Sequence, residues 1–174
     1  MKNWLKLSLI TIVLAVIIHL SLVIGLPSMV MYIAHWKMAK YAGGVNVVMH
    51  SPPTTAAHPV VNSSPDILYS SCAFDLSRGP LRFRAQVPDT YWSISGFDAQ
   101  TNNFFAINDE QAQSKTLDLV LVGPNQSVKI NERAQVVKAP SIKGVILFRT
   151  FVPTADKLAG LIKTQRNAIC SPYR

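Results

Sequence analysis

The residues able to do chemistry are few and unevenly placed. All four histidines, His19, His35, His50 and His58, lie in the first third of the chain. The later region, where the carboxylates and hydroxyls concentrate, therefore has no histidine of its own to activate a serine or cysteine, and familiar triad hydrolysis would need to borrow His50 or His58. His50 and His58 stand in a Pro-rich stretch and read as solvated linker residues, with metal binding as the minor alternative. The sequence contains no GxSxG, HExxH, GxxxxGK[ST] or GxGxxG, so neither a nucleophile elbow nor a zincin helix nor a phosphate loop is signalled. No cofactor is implied.

The densest polar run is FDAQTNNFFAIND, Phe97 to Asp109. Asp98, Gln100, Asn102 and Asp109 fall at positions 1, 3, 5 and 12 of a calcium-loop count, the spacing that lets one loop wrap a cation with oxygens. Asn103 stands where the loop glycine is expected and Asp109 replaces the bidentate glutamate, so the same residues read equally as a hairpin turn with local side-chain bonds. Asp66, Tyr69, Asp98, Asn102 and Arg149 are the candidate ligand-binding groups. Arg149 interrupts the apolar run VILFRTF; it lies either on a wet face or as a buried charge needing a carboxylate. Two functional readings follow. One is a non-catalytic partner- or ligand-binding domain, favoured by the missing histidines; the alternative is carboxylate- or metal-dependent chemistry centred on Asp66, Asp98 and Asp109, which requires those groups to converge.

The elements that must position these groups divide the chain into three parts: an anchor at 1–40, a Pro/Gly-rich connector at 41–65 and a β-rich domain at 66–174. Leu7 to Leu26 is a run of 20 residues without a formal charge, the length of a transmembrane helix and longer than the apolar core of a cleaved signal peptide. Pro27 is expected to kink or end its regular part. Lys2 and Lys6 precede the run closely, whereas Lys37 and Lys40 follow at a distance, favouring a cytoplasmic N-terminus with the body outside. The net charge of +8 splits into +4 over residues 1–40 and +4 over the rest, with scattered basic residues. That pattern suits a solvated basic face near anionic lipid and not nucleic-acid binding.

In the domain the hydrophobic period is two. Leu81, Phe83, Ala85 and Val87 alternate with Arg82, Arg84 and Gln86, and similar runs occur at 91–97, 104–107, 116–122, 127–130 and 145–152. Val45, Val47 and Val48 are a candidate short strand inside the connector. The turn residues between these runs predict a mainly β ectodomain, an antiparallel sandwich of jelly-roll type or a barrel. One C-terminal helix is expected after Thr154, its predicted N-cap, with Leu158, Leu161, Ile162 and Gln165 on one face. Cys72 and Cys170 are the only cysteines; they are either one disulfide or two separate buried thiols. Asn62 and Asn125 lie in N-x-S sequons.

Three stretches, SPDILYSSCAFDLSRGP (64–80), YWSISGFDAQTNNFFAIND (91–109) and APSIKGVILFRTFVP (139–153), resemble the bacterial domain of unknown function 1254 family. Asp66, Tyr69, Ser70, Gly79, Pro80, Tyr91, Asp98, Thr101, Asn102 and Arg149 carry the resemblance, which covers about residues 60 to 165. It implies an all-β, sandwich-like domain in the bacterial envelope without an established activity, hence an inner-membrane, single-pass protein with a periplasmic domain. Many relatives carry a further domain, of unknown function 1214, on the same chain. The resemblance therefore also implies a short anchored form working with a separately encoded envelope partner; membrane lipid, through the N-terminal helix, is the other expected partner.

Overall fold

The computed structural model describes residues 2–51, 64–112, 114–129 and 134–173. It opens with α1, Lys2–Ala42, and continues with β1 (Val48–His50), β2 (Ile67–Asp75), β3 (Leu81–Gln86), β4 (Trp92–Phe97), β5 (Asn103–Asn108), β6 (Thr116–Val122), β7 (Gln135–Lys138) and β8 (Lys143–Phe151). A 3-10 turn (Ala155–Lys157), α2 (Leu158–Gln165) and β9 (Ile169–Pro172) complete it. The strands form two sheets, β1-β2-β8-β4-β5 and β7-β6-β3-β9. All pairings are antiparallel except β6 with β7. The domain is thus mainly β, two sheets with one short C-terminal helix.

Alternation sets the inner faces. In β3, Leu81, Phe83 and Ala85 are buried while Arg84 and Gln86 are exposed. Facing them, β2 and β8 contribute Cys72, Phe74, Ile146 and Phe148 to the same core. The Phe148 ring packs against Trp92 at 5.8 Å and Phe83 at 6.2 Å between centroids, so one aromatic trio joins both sheets. On the outer face of the second sheet Arg82 grips Asp118 through two bonds of 2.8 and 2.7 Å, and Arg84 adds a contact of 3.3 Å. The arginines of the alternating strand are the wet side of the sandwich. The turn into β3 uses Gly79 at φ 132°, a conformation that L side chains rarely adopt.

Several expectations change. The helix does not end at Pro27, which lies inside α1. Proline removes one backbone bond, but stopping there would expose four carbonyls, and the segment beyond has packing of its own. Met31 and Met38 meet Ala73 and Val145, with Met49 and Phe97 beside them, on the outer face of the first sheet. His35 Nε2 also donates to the Phe74 carbonyl at 2.9 Å. The expected strand at 127–130 is absent over its described residues, 127–129. Gln126 bonds to Gly123 and Leu76 and holds a turn there, and the strand forms later as β7, parallel to β6. Thr154 stands at the N-cap of the 3-10 turn without a side-chain cap bond, and Lys157 takes the N-cap position of α2 itself. β1 pairs with β2 and so belongs to a sheet, although it falls in the stretch read as connector. His58 and Asn62 lie outside the described residues.

Cys72 in β2 and Cys170 in β9 are joined, with 6.5 Å between Cα atoms, which ties the two sheets and the C-terminal strand together. The bond closes a loop of 98 residues, for which chain-entropy arguments give stabilisation of about 2–5 kcal/mol. The double variant Cys72→Ala/Cys170→Ala is expected to unfold at lower denaturant by that amount. Chemical denaturation of the oxidised wild type, the reduced wild type and the variant checks it, and the last two should coincide.

Candidate functional site

The outer face of the first sheet holds the candidate site. Register places Tyr69, Arg149 and Ser93 in one row across β2, β8 and β4, and Ser71, Leu147 and Ser95 in the next. Because directly opposed residues point the same way, both rows face away from the sandwich core, on the side where α1 packs. Ser71 and Ser95 are nevertheless buried, at 3% and 1% exposure, which is unusual for serines on an outer face. Arg149 lies half-buried over them and donates from Nη2 to Ser95 Oγ at 2.6 Å. Its Nε and the Ser71 hydroxyl are buried and have no hydrogen-bond partner among the described residues. Arginine carries five fixed donors and a permanent charge. No carboxylate pairs with Arg149 among the described residues, and residues 52–63, which follow the edge strand, contain no acid in their sequence. The arrangement is a cation with unused donors beside an unused hydroxyl, the chemistry of an anion site.

Of the other candidate ligand residues, Tyr69 is brought beside Arg149, and Asp66, Asp98 and Asn102 are not. Asp66 is exposed before β2, where its carbonyl accepts from Val152 N at 2.8 Å. Tyr69 is Arg149's direct cross-strand neighbour, and its hydroxyl accepts from Ser64 N at 3.3 Å. Asp98 and Asn102 lie in the β4–β5 turn, roughly 15 Å from Ser93 by strand rise. Asp98 is buried and its oxygens are occupied within the turn: Oδ1 accepts from Gln100 N and Asn102 N at 2.8 Å each, and Oδ2 from Asn102 Nδ2 at 3.0 Å. These bonds hold Thr101 at φ 68°, an uncommon setting for a β-branched residue.

The calcium-spaced set is divided in the same way. Asp98 and Asp109 stand at opposite ends of β5, and Gln100 is exposed. Asp66 and Asp109 are separated by three strand spacings, roughly 14 Å. The three carboxylates therefore do not converge. Among the described residues no group of three or more His, Cys, Asp or Glu side chains is gathered to hold a metal.

His50 departs from its reading as a solvated linker residue. It is half-buried in β1, with Nδ1 3.0 Å from Ser70 Oγ. Burial and then the positive charge of Arg166 hold its pKa below the ordinary 6.5. Sequence reasoning passed over Ser71 and Ser95, and read His50 as linker, because nothing in their spacing shows that an edge strand joins the sheet or that its outer face is buried here.

A family model described as "Protein of unknown function (DUF1254)" matches residues 45–172. The chain belongs to the DUF1254 family. The match begins ahead of β1, so the edge strand with His50 lies within the family region of this DUF1254 chain. No curated protein matches it in sequence. Among solved structures, the VPA0106 protein from Vibrio parahaemolyticus is similar over 87% of this chain and 37% of its own, with 14% identity and a TM-score of 0.67. An uncharacterized protein from Burkholderia cenocepacia is similar over 75% of this chain and 37% of its own, at 17% identity and a TM-score of 0.48. The first likeness shows the fold. This DUF1254 chain spans little more than a third of the Vibrio chain it resembles.

The depressed His50 pKa has a consequence for stability. Native His50 binds its proton less tightly than an unfolded histidine, so the group contributes stability above pH 6.5 that is lost as pH falls from that value through the native pKa. The urea midpoint is expected to drop between about pH 7.5 and about pH 5 in the wild type, and to drop less in His50→Gln. Equal slopes in the two proteins would show that His50 is not the responsible group.

Proposed function

We propose that this protein is a non-catalytic binding protein of the bacterial envelope. The first half of α1 tethers it to the inner membrane, its β domain lies on the periplasmic side, and Arg149 is the group that receives an anionic ligand or the acidic group of an envelope partner. The observation that carries the binding reading is the Arg149 guanidinium, half-buried with Nε unpaired and only a serine as side-chain partner. A buried charge without a counter-ion is costly, and an arriving carboxylate or phosphate removes that cost while filling donors already in place.

Three features support the tether. At 41 residues α1 is about 60 Å long, twice the hydrocarbon thickness of a bilayer. It is long and apolar enough to cross a membrane, and its large side chains up to Ile24 are exposed on every side, as lipid-facing side chains are. The disulfide fits an oxidising compartment. A separately encoded partner is part of the same proposal.

Two experiments test it. Reporter fusions after Arg174, with thiol labelling in intact cells, are expected to show an exported C-terminus and cysteines protected until reduction. A cytoplasmic reporter with free thiols rejects the tether as drawn. For the site, the full chain in nonionic micelles is melted with inorganic phosphate, with acetate and with chloride. Phosphate or acetate should raise the midpoint of the wild type by the linkage expected of native-state binding and leave Arg149→Met unmoved, while Arg149→Met without anion should be no less stable than the wild type. Repeating the melt in vesicles with and without anionic lipid separates a headgroup phosphate from a free anion. An equal anion response in both proteins sinks the assignment of Arg149.

A further inference from the structure

One end of the sandwich is open where β3 crosses to β4 and β5 crosses to β6. The loops there frame a cleft of about 400 Å³, lined among others by Pro88, Thr90, Trp92, Asp109, Ala112 and Ser114. A second hollow of about 650 Å³ shares the Pro88 and Ala112 walls and reaches Lys115, leaving room for a ligand larger than a single ring.

Trp92 is the first residue of β4 and points into the core, where its ring packs on Phe148. Asp109 N donates to the Trp92 carbonyl at 3.2 Å, extending the Ser93–Asn108 pairing by one position, so the two side chains leave the sheet on the same inner side. Trp92 is 0% exposed, yet its Nε1 has no hydrogen-bond partner, and Asp109 Oδ1 is likewise buried without one among the described residues. Buried indole N–H groups normally find a partner. Here a donor and an acceptor are held as cross-strand neighbours, both unused, beside a cleft.

We propose that this cleft binds a neutral, hydroxyl-rich ligand, a saccharide. An indole N–H can only donate and an ionised carboxylate can only accept. A hydroxyl group does both, so a ligand that opens the cleft floor to this buried pair satisfies it by accepting from Trp92 Nε1 and donating to Asp109 Oδ1. An anionic ligand meets Asp109 and the lining carboxylate of Asp89, and an ammonium group leaves the indole N–H unmatched. The Thr90 and Ser114 hydroxyls supply further two-way partners, and Tyr91, 53% exposed at the cleft, offers an aromatic surface for the C–H face of a sugar ring. A peptide amide matches the donor and acceptor only through two separate atoms, and it serves as the comparison. This site is separate from Arg149, which lies on the opposite side of the same sheet.

The test uses the full chain in micelles of a polyoxyethylene detergent, which has no sugar headgroup. The Trp92 indole resonance, assigned by its loss in Trp92→Phe, is followed while methyl glucoside, N-acetylglucosamine, a blocked glycine amide or potassium chloride is added. At least one saccharide should shift Trp92 saturably and leave Trp4 and Trp36 in place, and the amide and the salt should not. Asp109→Ala, with its disulfide intact and its remaining spectrum native, should bind that saccharide about tenfold more weakly or worse. If neither saccharide shifts the Trp92 signal, if only the amide does, or if Asp109→Ala binds undiminished, the proposal is wrong. The alanine variant keeps the test decisive should Trp92→Phe fail to fold.

Discussion

The structure depends on the pairing of β2 with β8. Nine consecutive residue pairs, Ile67 with Phe151 through Asp75 with Lys143, make it the longest ladder among the described residues. Because side chains alternate, this one register decides what each face holds: Cys72, Phe74, Ile146 and Phe148 inward, Ser71, Ala73, Val145 and Arg149 outward. A slip of one residue would drive Arg149 into the aromatic core and turn Phe148 to the outside. The disulfide from Cys72 to β9 and the Phe148 stack on Trp92 both require the observed register. So do the covered serines on the other side. Core, cross-link and candidate site are three results of one alignment.

The second constraint is the use made of the outer face. In a sandwich that face is ordinarily solvated, but here part of it receives Met31 and Met38 from α1. Methionine fits such a surface because its flexible thioether fills irregular gaps. Beside that contact, Ser71 and Ser95 are buried although they sit on an outward-facing row. Arg149 then becomes the group that must be satisfied in a partly dehydrated setting, with α1 packed on the same face of the sheet. α1 and the candidate site thus share the outer face of the first sheet.

How much of this was legible in the sequence depended on whether one face or two were covered. β3 was plain, because Arg82, Arg84 and Gln86 face solvent while Leu81, Phe83 and Ala85 do not. β2 was hidden, because both its faces are buried over Ser70 to Phe74 and no alternation of polarity remains to be read. β7 and β9, four residues each at sheet edges, carry too little pattern, and β7 also runs parallel to its neighbour. Cys72 and Cys170 were open between disulfide and separate thiols, since a Cα separation is a tertiary quantity. Asp98 and Asn102 were open between ligand groups and a hairpin turn with local side-chain bonds, and their bonds are those of the turn. Arg149 was offered as a wet residue or a paired buried charge. It lies between the two: outward-facing but half-buried, it is bonded to Ser95 with no carboxylate beside it among the described residues.

The most direct measurement of the central claim is the proton on Arg149 Nε, observed as its own nitrogen-15 correlated resonance in the full chain. The account predicts a resonance that exchanges slowly because the atom is buried, that is absent in Arg149→Lys, and that moves saturably when an anion fills the vacant donor position. A resonance in fast exchange with water and indifferent to anions would contradict it, and would mean that Arg149 is an ordinary solvated cation on the outer face of the sheet.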